Sequence, residues 1–431
     1  MQPIYDQGTA MTISEHQDIA IVNGPSKPLV GSCRIAGSKN TAMPVLAAAS
    51  LCQQPFIVRN VPQIGDVERL CEILCGIGVA VTRAGSDCRF EPSHIRGSRL
   101  PAAASRLRGS IYALAPMAVF LGRGEAAQIG GDPLAGRSLE PHARALAGFG
   151  LTVTLRNGGV EFSGGPPKAA EFDLYDRAGG ISASALALML AAAVQGRSCV
   201  RRISLEPEVL DCAAFLRCLG AKIDLEGDTA MVEGPLTPKA TEWSIPEDRV
   251  FWGTIAAATA ITGGNITLPV QNAARFGAIV AVLEACGVET ICLSDAIRVS
   301  GKPQRPLFVE TGPFPAFPSD LVPPVMALMT QAPGQSRVVE SIYPDRFSHV
   351  DELKRMGASI AVDGSVAVVN GVASLIGRAV RGKGIREAAA LVLAGLAAEG
   401  KTMVSPCNVL SRGYEDLLGT LCALGASAFV A

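Results

Sequence analysis

The chain has 431 residues, enough for two or three domains of ordinary size, and 48% of its residues are hydrophobic whereas 18% are charged. Its formal net charge of −1 excludes the overall basic excess that is typical of proteins binding nucleic acid or anionic membrane surfaces. The longest apolar runs, such as ALALMLAAAV, are shorter than the ~18 residues of a membrane-spanning helix, so we expect no transmembrane segment.

Twelve cysteines are scattered along the chain, and several lie on the apolar side of helix-like segments. The first residues, MQPIYDQGTAMTISEHQD, lack the basic and then apolar layout of a secretory signal peptide. We therefore expect reduced thiols in a cytoplasmic protein rather than a set of disulfides. None of the four histidines pairs with cysteines at the spacing of zinc ligands, so the sequence predicts no structural metal site.

Taken in chain order, six strongly apolar, helix-like segments begin at polar or charged residues that recur about every 70 residues. The residues that mark these helix starts are Lys39, Arg108, Ser182, Arg249, Asp320 and Arg386. The segments are too apolar to lie on a protein surface, so we predict that they form core helices covered by sheets.

A second helix follows in each copy of this pattern. It ends in a hydrophobic residue and a glycine, after which an alternating strand pattern begins, as in LCGIGVAVTR, LRCLGAKIDL and LCALGASAFV. The glycines of the six copies are Gly78, Gly150, Gly220, Gly287, Gly357 and Gly425. The sequence therefore predicts six similar units, each with two helices and several short strands, that nearly fill the chain.

The polar helix starts allow two interpretations. In the first, the chain is a solenoid that repeats one stable unit, and a single type of capping residue would then suffice at every helix start. Capping accounts for Asp320 and Ser182, but a lysine or an arginine is disfavoured at a helix N-terminus. Cations at Lys39, Arg108 and Arg386 are favourable where an anion lies between them and the backbone N–H groups, so the pattern favours an anion-binding site.

The same residues lie in stretches that resemble the enolpyruvyl (1-carboxyvinyl) transferases. Over nearly its whole length the chain is similar to the UDP-N-acetylglucosamine enolpyruvyl transferases, and only its first residues form an extra tail. The matching stretches include GSKNTAMPVLAAA, RNVPQIGDVERLCEIL, LEPEVLDCAAFLRCLGAKI, FPAFPSD, DRFSHVDELKRMGASI and SRGYEDLLGTLCALGA.

The resemblance implies an α/β fold of two domains arranged as an inside-out α/β barrel. It would be built from six βαβαββ-type repeats, three per domain, with an active-site cleft between the domains. Residues 1–38 together with 249–431 would form one discontinuous domain, and residues 39–248 would form an inserted second domain. Members of the family are often monomeric, so we expect a monomer or a weak homo-oligomer.

By the same resemblance, the protein would move the enolpyruvyl group of phosphoenolpyruvate onto the hydroxyl of a small-molecule acceptor, without a metal or an organic cofactor. Lys39 matches the family lysine that binds the phosphate. Arg137, Arg346, Arg386 and Arg412 match the family arginines around phosphoenolpyruvate, whose phosphate and carboxylate suit bidentate guanidinium contacts. A single arginine ordinarily indicates a surface ion pair, whereas four at matching positions indicate an anion site.

Four further residues match the acceptor side of the family site. Asn40 and Arg108 would contact the acceptor, and Glu206 matches an acceptor-side carboxylate. Asp320, in FPSD, matches the carboxylate that contacts the acceptor hydroxyl, which makes it the best candidate for the general base. Asp320 is also suited to a simple N-cap of the following helix, and the two roles are compatible.

Asp132, in IGGDPLAGRSLEPH, stands where most members of the matched family carry a cysteine on a mobile loop, the residue that fosfomycin alkylates. Its simplest interpretation is a turn residue. A carboxylic acid here is also able to donate a proton to C3 of phosphoenolpyruvate or to the departing phosphate, provided that a closed site raises its pKa. We favour the catalytic role, and we expect resistance to fosfomycin because an aspartate lacks the thiolate nucleophile.

Several departures from the family pattern cluster on the acceptor side. The uridine-holding Arg-Pro-Val-Asp-Leu run is RSLEP here, Phe251 and Gly384 replace two family acids, and the diphosphate-binding turn reads GISAS. Within that turn, Ser182 and Ser184 are suited to hold a phosphate at a helix start, which keeps a phosphorylated acceptor open. The stretch GGDPLAGRSLEP looks more like the sister family of 3-phosphoshikimate 1-carboxyvinyltransferases, but the opening motif of that family is absent.

Three functions remain open from the sequence. The phosphoenolpyruvate half of the site is nearly complete and the acceptor half is altered, which favours transfer to another nucleotide or phosphorylated sugar. The cell-wall reaction with UDP-N-acetylglucosamine is the first alternative, because the motifs match along the whole chain. An inactive paralogue that binds ligands or a partner is the second, and the retained lysine and arginines argue against it.

Overall fold

The computed structural model describes residues 18–92, 94–131, 138–174, 180–238 and 240–431 of the chain. Within these ranges the fold is mixed α/β. The α-helices are α1 (Lys39–Ala49), α2 (Gly65–Gly76), α3 (Leu114–Leu121), α4 (Glu140–Gly148), α5 (Gly180–Ala193), α6 (Pro207–Cys218), α7 (Arg249–Thr262), α8 (Gly277–Ala285), α9 (Val322–Met329), α10 (Val350–Arg355), α11 (Ile385–Ala397) and α12 (Leu417–Ala423). Short 3₁₀ helices cover Ala102–Arg106, Arg108–Ala113, Ala273–Phe276, Ser319–Leu321 and Cys407–Arg412.

The described strands pair into six sheets. The strands of the first half are β1 (Ala20–Gly24), β2 (Val30–Ser32), β3 (Phe56–Arg59), β4 (Ala80–Ala84), β5 (Asp87–Glu91), β6 (Gly124–Ala126), β7 (Thr152–Arg156), β8 (Gly159–Ser163), β9 (Glu171–Asp173), β10 (Gly196–Arg201), β11 (Lys222–Glu226) and β12 (Thr229–Gly234). Those of the second half are β13 (Glu242–Ser244), β14 (Asn265–Pro269), β15 (Glu289–Cys292), β16 (Ala296–Ser300), β17 (Phe308–Glu310), β18 (Gln335–Val339), β19 (Ser359–Asp363), β20 (Val366–Asn370), β21 (Leu375–Ile376), β22 (Ala379–Arg381), β23 (Ala398–Ser405) and β24 (Ser427–Val430).

The six sheets have similar strand orders. These orders are β13-β3-β5-β4, β6-β8-β7, β9-β10-β12-β11, β2-β14-β16-β15, β17-β18-β20-β19 and β21-β23-β1-β24, with β22 also paired to β23. Five of them combine a parallel pair with antiparallel pairs, as where β18 runs parallel to β17 and antiparallel to β20. The register of β19 on β20, from Ser359↔Asn370 to Asp363↔Val366, puts alternate residues of VAVVN into the core.

Six glycine turns confirm the predicted repeat. All six predicted glycines have positive φ, between 91° and 111°, which residues with a Cβ rarely adopt. Each turn follows a helix and precedes a strand, in the pairs α2/β4, α4/β7, α6/β11, α8/β15, α10/β19 and α12/β24. The left-handed backbone at the end of each helix lets the chain reverse, so that the strand lies against the helix that it follows.

The six apolar segments form the predicted core helices. Each marker residue lies at or near the start of a helical element, for example Lys39 and Arg249 at the first positions of α1 and α7. All fourteen residues of α7 are buried, and α5 and α11 are buried almost as completely. Their alanines and glycines allow close approach of neighbouring helices, while leucine and isoleucine fill the space beneath the sheets.

The buried apolar residues fall into two clusters. One cluster draws on residues 20–35 and 250–428, and the other on residues 42–245. The two connections between them run side by side, because Ser38 donates a backbone hydrogen bond of 2.8 Å to Pro246, and Asp248 donates one of 2.9 Å to Ala36. The predicted domain boundaries at residues 38 and 249 stay a prediction. None of the described helices is long and apolar enough to cross a membrane.

Candidate active site

A cleft of about 200 Å³ lies where the N-terminal ends of several core helices converge. The predicted site residues that line it are Lys39, Asn40, Arg108, Ser182, Asp320, Arg346, Arg386 and Arg412. These side chains come from both ends and from the middle of the chain, and the described part of the fold brings them to one place.

Asp66 joins two of the predicted cations. Its Oδ2 lies 2.7 Å from Nζ of Lys39, and its Oδ1 accepts a hydrogen bond of 3.1 Å from Nε of Arg412. Nη1 of Arg69 is 3.6 Å from the same Oδ1. The Asp66 side chain is only 3% exposed and lies in the first turn of α2, where the helix dipole favours an acid.

The charge of Asp66 is set by these neighbours. Burial raises the pKa of Asp66, but the positive charges of Lys39 and Arg412 and their hydrogen bonds outweigh burial and hold the pKa below its usual range. Asp66 is therefore ionised at neutral pH and fixes two cations from opposite ends of the chain. The sequence analysis missed Asp66, although the matching stretch RNVPQIGDVERLCEIL contains it and was the available signal.

Asp320 lies between two further predicted cations. Its Oδ1 accepts a hydrogen bond of 3.0 Å from Nη2 of Arg346, and its Oδ2 accepts bonds of 3.0 and 3.3 Å from Nη2 and Nε of Arg386. The interpretation of Asp320 as an N-cap is wrong, because neither the 3₁₀ helix Ser319–Leu321 nor α9 has a side-chain cap. The carboxylate holds the two guanidinium groups instead.

The ion pairs also set the proton affinity of Asp320. Burial raises the pKa of Asp320, but Arg386 and Arg346, with Lys39, hold it far below its usual range. Its role as the general base stays a prediction from the resemblance.

The buried Glu340 holds Arg346 in place through hydrogen bonds that pass through Ser319. Nε of Arg346 donates to Oγ of Ser319 at 3.1 Å, and Ser319 donates to Oε2 of Glu340 at 2.8 Å. Oε1 of Glu340 accepts the backbone N–H groups of Ile342 and Tyr343 at 2.8 and 2.9 Å. The Tyr343 ring is thereby held with its centre 5.0 Å from the guanidinium carbon of Arg346.

Aromatic side chains surround Arg386. The two positions near it at which the resemblance implies acids are Gly384 and Phe251. Gly384 is the N-cap of α11, and Phe251 is buried with its ring edge-on to Tyr414 at 5.6 Å between centroids. The centre of the Tyr414 ring lies 5.1 Å from the guanidinium carbon of Arg386, and the Tyr414 hydroxyl shares a hydrogen bond of 3.0 Å with Thr254. Nη1 of Arg386 is buried without a hydrogen-bond partner among the described residues.

A second cleft of about 910 Å³ adjoins the first, and its volume is typical of a small-molecule site. The two linings share Asn40, Ile181, Glu208, Asp320 and Tyr343. A small anion in the first cleft and a larger molecule in the second would therefore meet at these five residues.

Glu206 makes its hydrogen bonds within the protein. Its Oε2 accepts a bond of 2.5 Å from Nη2 of Arg249, and its Oε1 accepts one of 2.8 Å from the backbone N–H of Phe314. These bonds connect the start of α6 to α7 and to the loop before Asp320. Both oxygens are engaged in this way, and the predicted contact of Glu206 with the acceptor stays a prediction.

Glu208, two residues further along LEPE, was not singled out by the sequence analysis. Its Oε1 accepts a long hydrogen bond of 3.4 Å from Nδ2 of Asn40, and its Oε2 lies 3.5 Å from Nη2 of Arg249. Burial raises the pKa of Glu208 to about 7; Arg249 opposes the rise, and the negative charges of Glu206 and Asp320 add to it. Glu208 is thus the described carboxyl group at the shared wall that changes charge near neutral pH.

Ser182 is held by a buried histidine. Nε2 of His142 lies 2.7 Å from Oγ of Ser182, and burial, together with Arg108, lowers the pKa of His142 to about 3. Nδ1 of His142 is buried and has no partner within the described ranges. The direction of this bond follows the tautomer of His142: the Ser182 hydroxyl accepts from a protonated Nε2 and donates to an unprotonated one.

The fold does not bring Ser184 to either cleft, which corrects the prediction that it holds a phosphate. Ser184 is fully buried, and its Oγ accepts a hydrogen bond of 2.8 Å from the backbone N–H of Ser204. The helical period explains the difference, because residues two positions apart on α5 face different directions. Ser184 instead positions Ser204, which lines the larger cleft.

Two predicted residues, Asp132 and Arg137, lie outside the described residues. Gly131, which precedes them, lines the smaller cleft. After them, the backbone carbonyl of Ser138 accepts a hydrogen bond of 3.0 Å from Nη2 of Arg108.

The described lining of the smaller cleft carries more positive than negative side chains. Its cations are Lys39, Arg108, Arg346, Arg386 and Arg412, and its acids are Asp66, Glu208 and Asp320. An anionic molecule with two charged groups would bring this balance close to neutrality. Among the described residues, no group of three or more histidine, cysteine, aspartate or glutamate side chains is arranged to hold a metal ion.

Comparison with known proteins gives relatives along nearly the whole chain. A family model described as EPSP synthase (3-phosphoshikimate 1-carboxyvinyltransferase) matches residues 24–421. The chain is 35% identical over 419 residues to a UDP-N-acetylglucosamine 1-carboxyvinyltransferase of Xylella fastidiosa (strain 9a5c), covering 94% of this chain and 98% of that protein. It is 37% identical over 408 residues to the protein of the same name from Anaeromyxobacter dehalogenans (strain 2CP-C), covering 93% and 96%.

Solved structures resemble the whole described fold. The enolpyruvyl transferase NikO from Streptomyces tendae matches with a TM-score of 0.84 and 25% identity, over 96% of this chain and 98% of that chain. An EPSP synthase from Acinetobacter baumannii matches with a TM-score of 0.70 and 18% identity, over 96% and 99%, which supports the fold alone.

Proposed function

Because the chain belongs to the EPSP synthase family and is an enolpyruvyl (1-carboxyvinyl) transferase, we propose that its acceptor is a nucleotide or a phosphorylated sugar. The enolpyruvyl group of phosphoenolpyruvate would be joined to a hydroxyl of this acceptor by addition and elimination, with release of phosphate. The observation that carries the proposal is the cationic cleft, in which two carboxylates each hold a pair of cations beside a larger cleft.

Phosphoenolpyruvate suits the smaller cleft by charge and by shape. Its phosphate and carboxylate are separated by a short, rigid carbon frame, and both groups accept bidentate bonds from arginine. Asp66 presents Lys39 and Arg412, and Asp320 presents Arg346 and Arg386.

The reaction needs charge stabilisation and two proton transfers. C3 of phosphoenolpyruvate gains a proton so that C2 becomes electrophilic, and the acceptor hydroxyl loses its proton as it attacks C2. Cations that are already oriented by buried carboxylates stabilise the negative charge of the tetrahedral intermediate without reorganising. Asp132 is the proposed donor to C3, on the strength of its place in the matched sequence rather than of its geometry.

The altered acceptor side supports an acceptor other than UDP-N-acetylglucosamine. Phe251 and Gly384 remove two family acids, and Ser182 lines the smaller cleft at the start of α5, where an anionic oxygen is favoured. The first alternative remains UDP-N-acetylglucosamine, and the 35% identity to enzymes named for that acceptor supports it. The second alternative is an inactive ligand-binding paralogue, and the retention of Asp320 together with the lysine and arginines of the cleft argues against it.

We propose two domains, residues 1–38 with 249–431 and residues 39–248, each an inside-out α/β barrel of three βαβαββ-type repeats. The two apolar clusters and the six sheets support this division. The substrates would then bind between the domains, at the cleft that both clusters flank.

The experiment is phosphate release from phosphoenolpyruvate by the purified protein. UDP-N-acetylglucosamine, UMP, other nucleotides and phosphorylated sugars would be offered in turn, with Asp132→Ala and Asp320→Ala as controls. Release that requires one acceptor and is lost in both controls is the expected result. Release only with UDP-N-acetylglucosamine would establish the first alternative, and phosphoenolpyruvate binding without release for any acceptor would establish the second.

A further inference from the structure

We propose that Arg275 is a positioning residue for the acceptor, a role that rests on the proposed function. Arg275 acts through Asp211 and Thr41 on the start of α1. There the next residue, Asn40, faces both clefts. The three linked residues come from three different elements, and none of them belongs to the described lining of either cleft. Arg275 therefore contributes to the position of a site residue without touching a substrate.

The repeat of the fold brings this arginine close to the site. In each unit, one connection leads from a strand to the helix that ends in the glycine turn, and five of the six connections or the helix turns that follow them contribute to a cleft lining. Their lining residues include Asp66, Gly131, Glu206, Arg346 and Arg412. The connection of the fourth unit, residues 270–276 between β14 and α8, carries Arg275. Within the described part of the chain it contributes to neither lining, and its arginine contacts the other apolar cluster instead.

The backbone around Arg275 is anchored in the apolar cluster that draws on residues 20–35 and 250–428. Arg275 lies in the 3₁₀ helix Ala273–Phe276, which the side chain of Asn272 caps by accepting a backbone hydrogen bond of 3.1 Å. Phe276 is 1% exposed, and its ring centre lies 4.9 Å from that of Trp252 on α7. The Arg275 side chain therefore extends towards the other cluster from a fixed backbone.

Arg275 and Asp211 form a bidentate ion pair between the two apolar clusters. Nη1 and Nη2 of Arg275 donate to Oδ1 and Oδ2 of Asp211 at 2.7 and 2.6 Å, in the parallel geometry that makes such pairs strong and specific. The side chains are only 18% and 10% exposed, so salt and water screen the pair weakly. Nε of Arg275 is buried and has no hydrogen-bond partner among the described residues, so within them the carboxylate of Asp211 orients this guanidinium group.

The same carboxylate holds the start of α1. Oδ2 of Asp211 accepts a hydrogen bond of 2.7 Å from the hydroxyl of Thr41, the third residue of α1, which is 1% exposed. Asp211 lies on α6, which packs against α1, so the bond fixes one helix relative to the other. Without Arg275, Asp211 would be a buried carboxylate that has lost its counterion, which is strongly unfavourable. We expect the carboxylate to turn towards water and to loosen its bond to Thr41.

Asn40 depends on this anchor more than Lys39 does. Successive residues of a helix point about 100° apart, so Thr41 faces α6 while Asn40 faces the clefts. Nδ2 of Asn40 makes a long bond of 3.4 Å to Glu208, so its direction follows the backbone of α1 closely. Lys39 is held separately, because its Nζ lies 2.7 Å from Asp66. A looser start of α1 should therefore weaken binding of the acceptor, the predicted partner of Asn40, more than binding of phosphoenolpyruvate.

The first test needs no substrate. Amide hydrogen exchange of the ligand-free protein, read by mass spectrometry, should be about fivefold faster or more in the first turns of α1 in Arg275→Met than in the wild type. Thr41→Val keeps the size of the side chain but removes the hydroxyl, and it should accelerate exchange in the same segment. Arg99→Met is the matched control, since Arg99 is in an exposed ion pair with Glu125, and it should leave exchange in α1 unchanged.

The second test measures phosphate release with phosphoenolpyruvate and the nucleotide or phosphorylated sugar that supports turnover in the wild type. Arg275→Met should raise KM for that acceptor about tenfold, whereas KM for phosphoenolpyruvate should stay within about twofold. A general loss of structure would change both values, so the difference between them is specific to positioning. Arg275→Lys keeps the charge but loses the bidentate geometry, and it should give an intermediate KM for the acceptor.

A double variant tests whether Arg275 acts through Asp211. Thr41→Val should also raise KM for the acceptor. Arg275→Met combined with Thr41→Val should raise it no further than the stronger single variant does, because both changes remove the same link. Effects that multiply would overturn this route. If Arg275→Met does not fold, Arg275→Lys with and without Thr41→Val provides the same comparison.

The outcomes separate the role of Arg275 from the proposed function. Faster exchange in α1 together with a rise in KM for the acceptor alone is the expected result. Unchanged exchange in α1 of Arg275→Met, or equal increases of both KM values, would overturn the positioning role. A wild type that releases no phosphate with any acceptor would overturn the proposed function, and the exchange measurement would still decide whether Arg275 holds the start of α1.

Discussion

Replacing Asp66 by asparagine should weaken the fold and at the same time expose two cations to a ligand. The Asp66 side chain is 3% exposed and has contacts of 2.7 Å to Lys39 and 3.1 Å to Arg412. Removing one partner of a buried ion pair costs about 3–5 kcal/mol. The side chains of Lys39 and Arg412 are 14% and 25% exposed, and their partial hydration puts the expected loss near the lower end, about 3 kcal/mol.

Thermal unfolding with and without phosphoenolpyruvate is the appropriate assay. Without ligand, Asp66→Asn should melt several degrees below the wild type. Saturating phosphoenolpyruvate should stabilise the variant more than the wild type, because the anion no longer competes with Asp66 for Lys39 and Arg412. Asp87→Asn is the matched control, since Asp87 is in an exposed ion pair with Arg59, and it should leave the melting temperature unchanged.

The pH dependence gives an independent check on the same pair. The pKa of Asp66 is lowered in the folded state, so its stabilising contribution is present above the ordinary aspartate value of 3.8 and is lost as the pH falls below that value towards the folded pKa. The difference between the wild type and Asp66→Asn should therefore persist at neutral pH and shrink in acid. Equal melting temperatures for Asp66→Asn and Asp87→Asn at pH 7 would refute the idea that Asp66 holds the cleft together.

Three further outcomes are expected. Asp320→Asn should reduce kcat by about 100-fold or more in the phosphate-release assay, because Arg346 and Arg386 lose the carboxylate that orients them, and a normal rate would contradict this. Ser182→Ala should raise KM for a phosphorylated acceptor about tenfold, or about 1.4 kcal/mol, without changing KM for phosphoenolpyruvate, whereas an equal change in both would indicate a general distortion. Fosfomycin should form no adduct with the wild type by intact-mass measurement, and Asp132→Cys should gain one; alkylation of the wild type would show that another residue reacts.

The fold was largely predictable from the sequence because its signals are local and repeated. A glycine with positive φ follows a helix in all six copies, and each apolar segment forms a buried helix. These features depend on residues that are near neighbours in the chain, where periodicity and turn chemistry are informative. The pairing of β1 with β23, which brings together strands separated by more than 370 residues (Ala20↔Val404 to Gly24↔Gly400), has no comparable local signal.

The site was predictable only in part, for a physical reason. The resemblance located the cations, but it did not identify their counterions, because a contact such as that between Asp66 and Arg412 joins residues far apart in the chain. Ser184 was misjudged because two serines in the first turns of a helix look alike in sequence, although Ser182 lines the cleft and Ser184 is buried in the core. Glu208 was missed because its charge state depends on burial and on Arg249 and Asp320, which lie far from it in the chain.

Three buried or half-buried ion pairs connect the two apolar clusters, and two of them lie in the linings of the clefts. Arg412 bonds to Asp66, Arg249 to Glu206 and Arg275 to Asp211, and each pair connects the two apolar clusters. Desolvation offsets much of the attraction in such pairs, so their net contribution to stability is small although their geometry is well defined. An anionic substrate that offers its own oxygens to the cations of the cleft therefore exchanges one set of ion pairs for another at little cost.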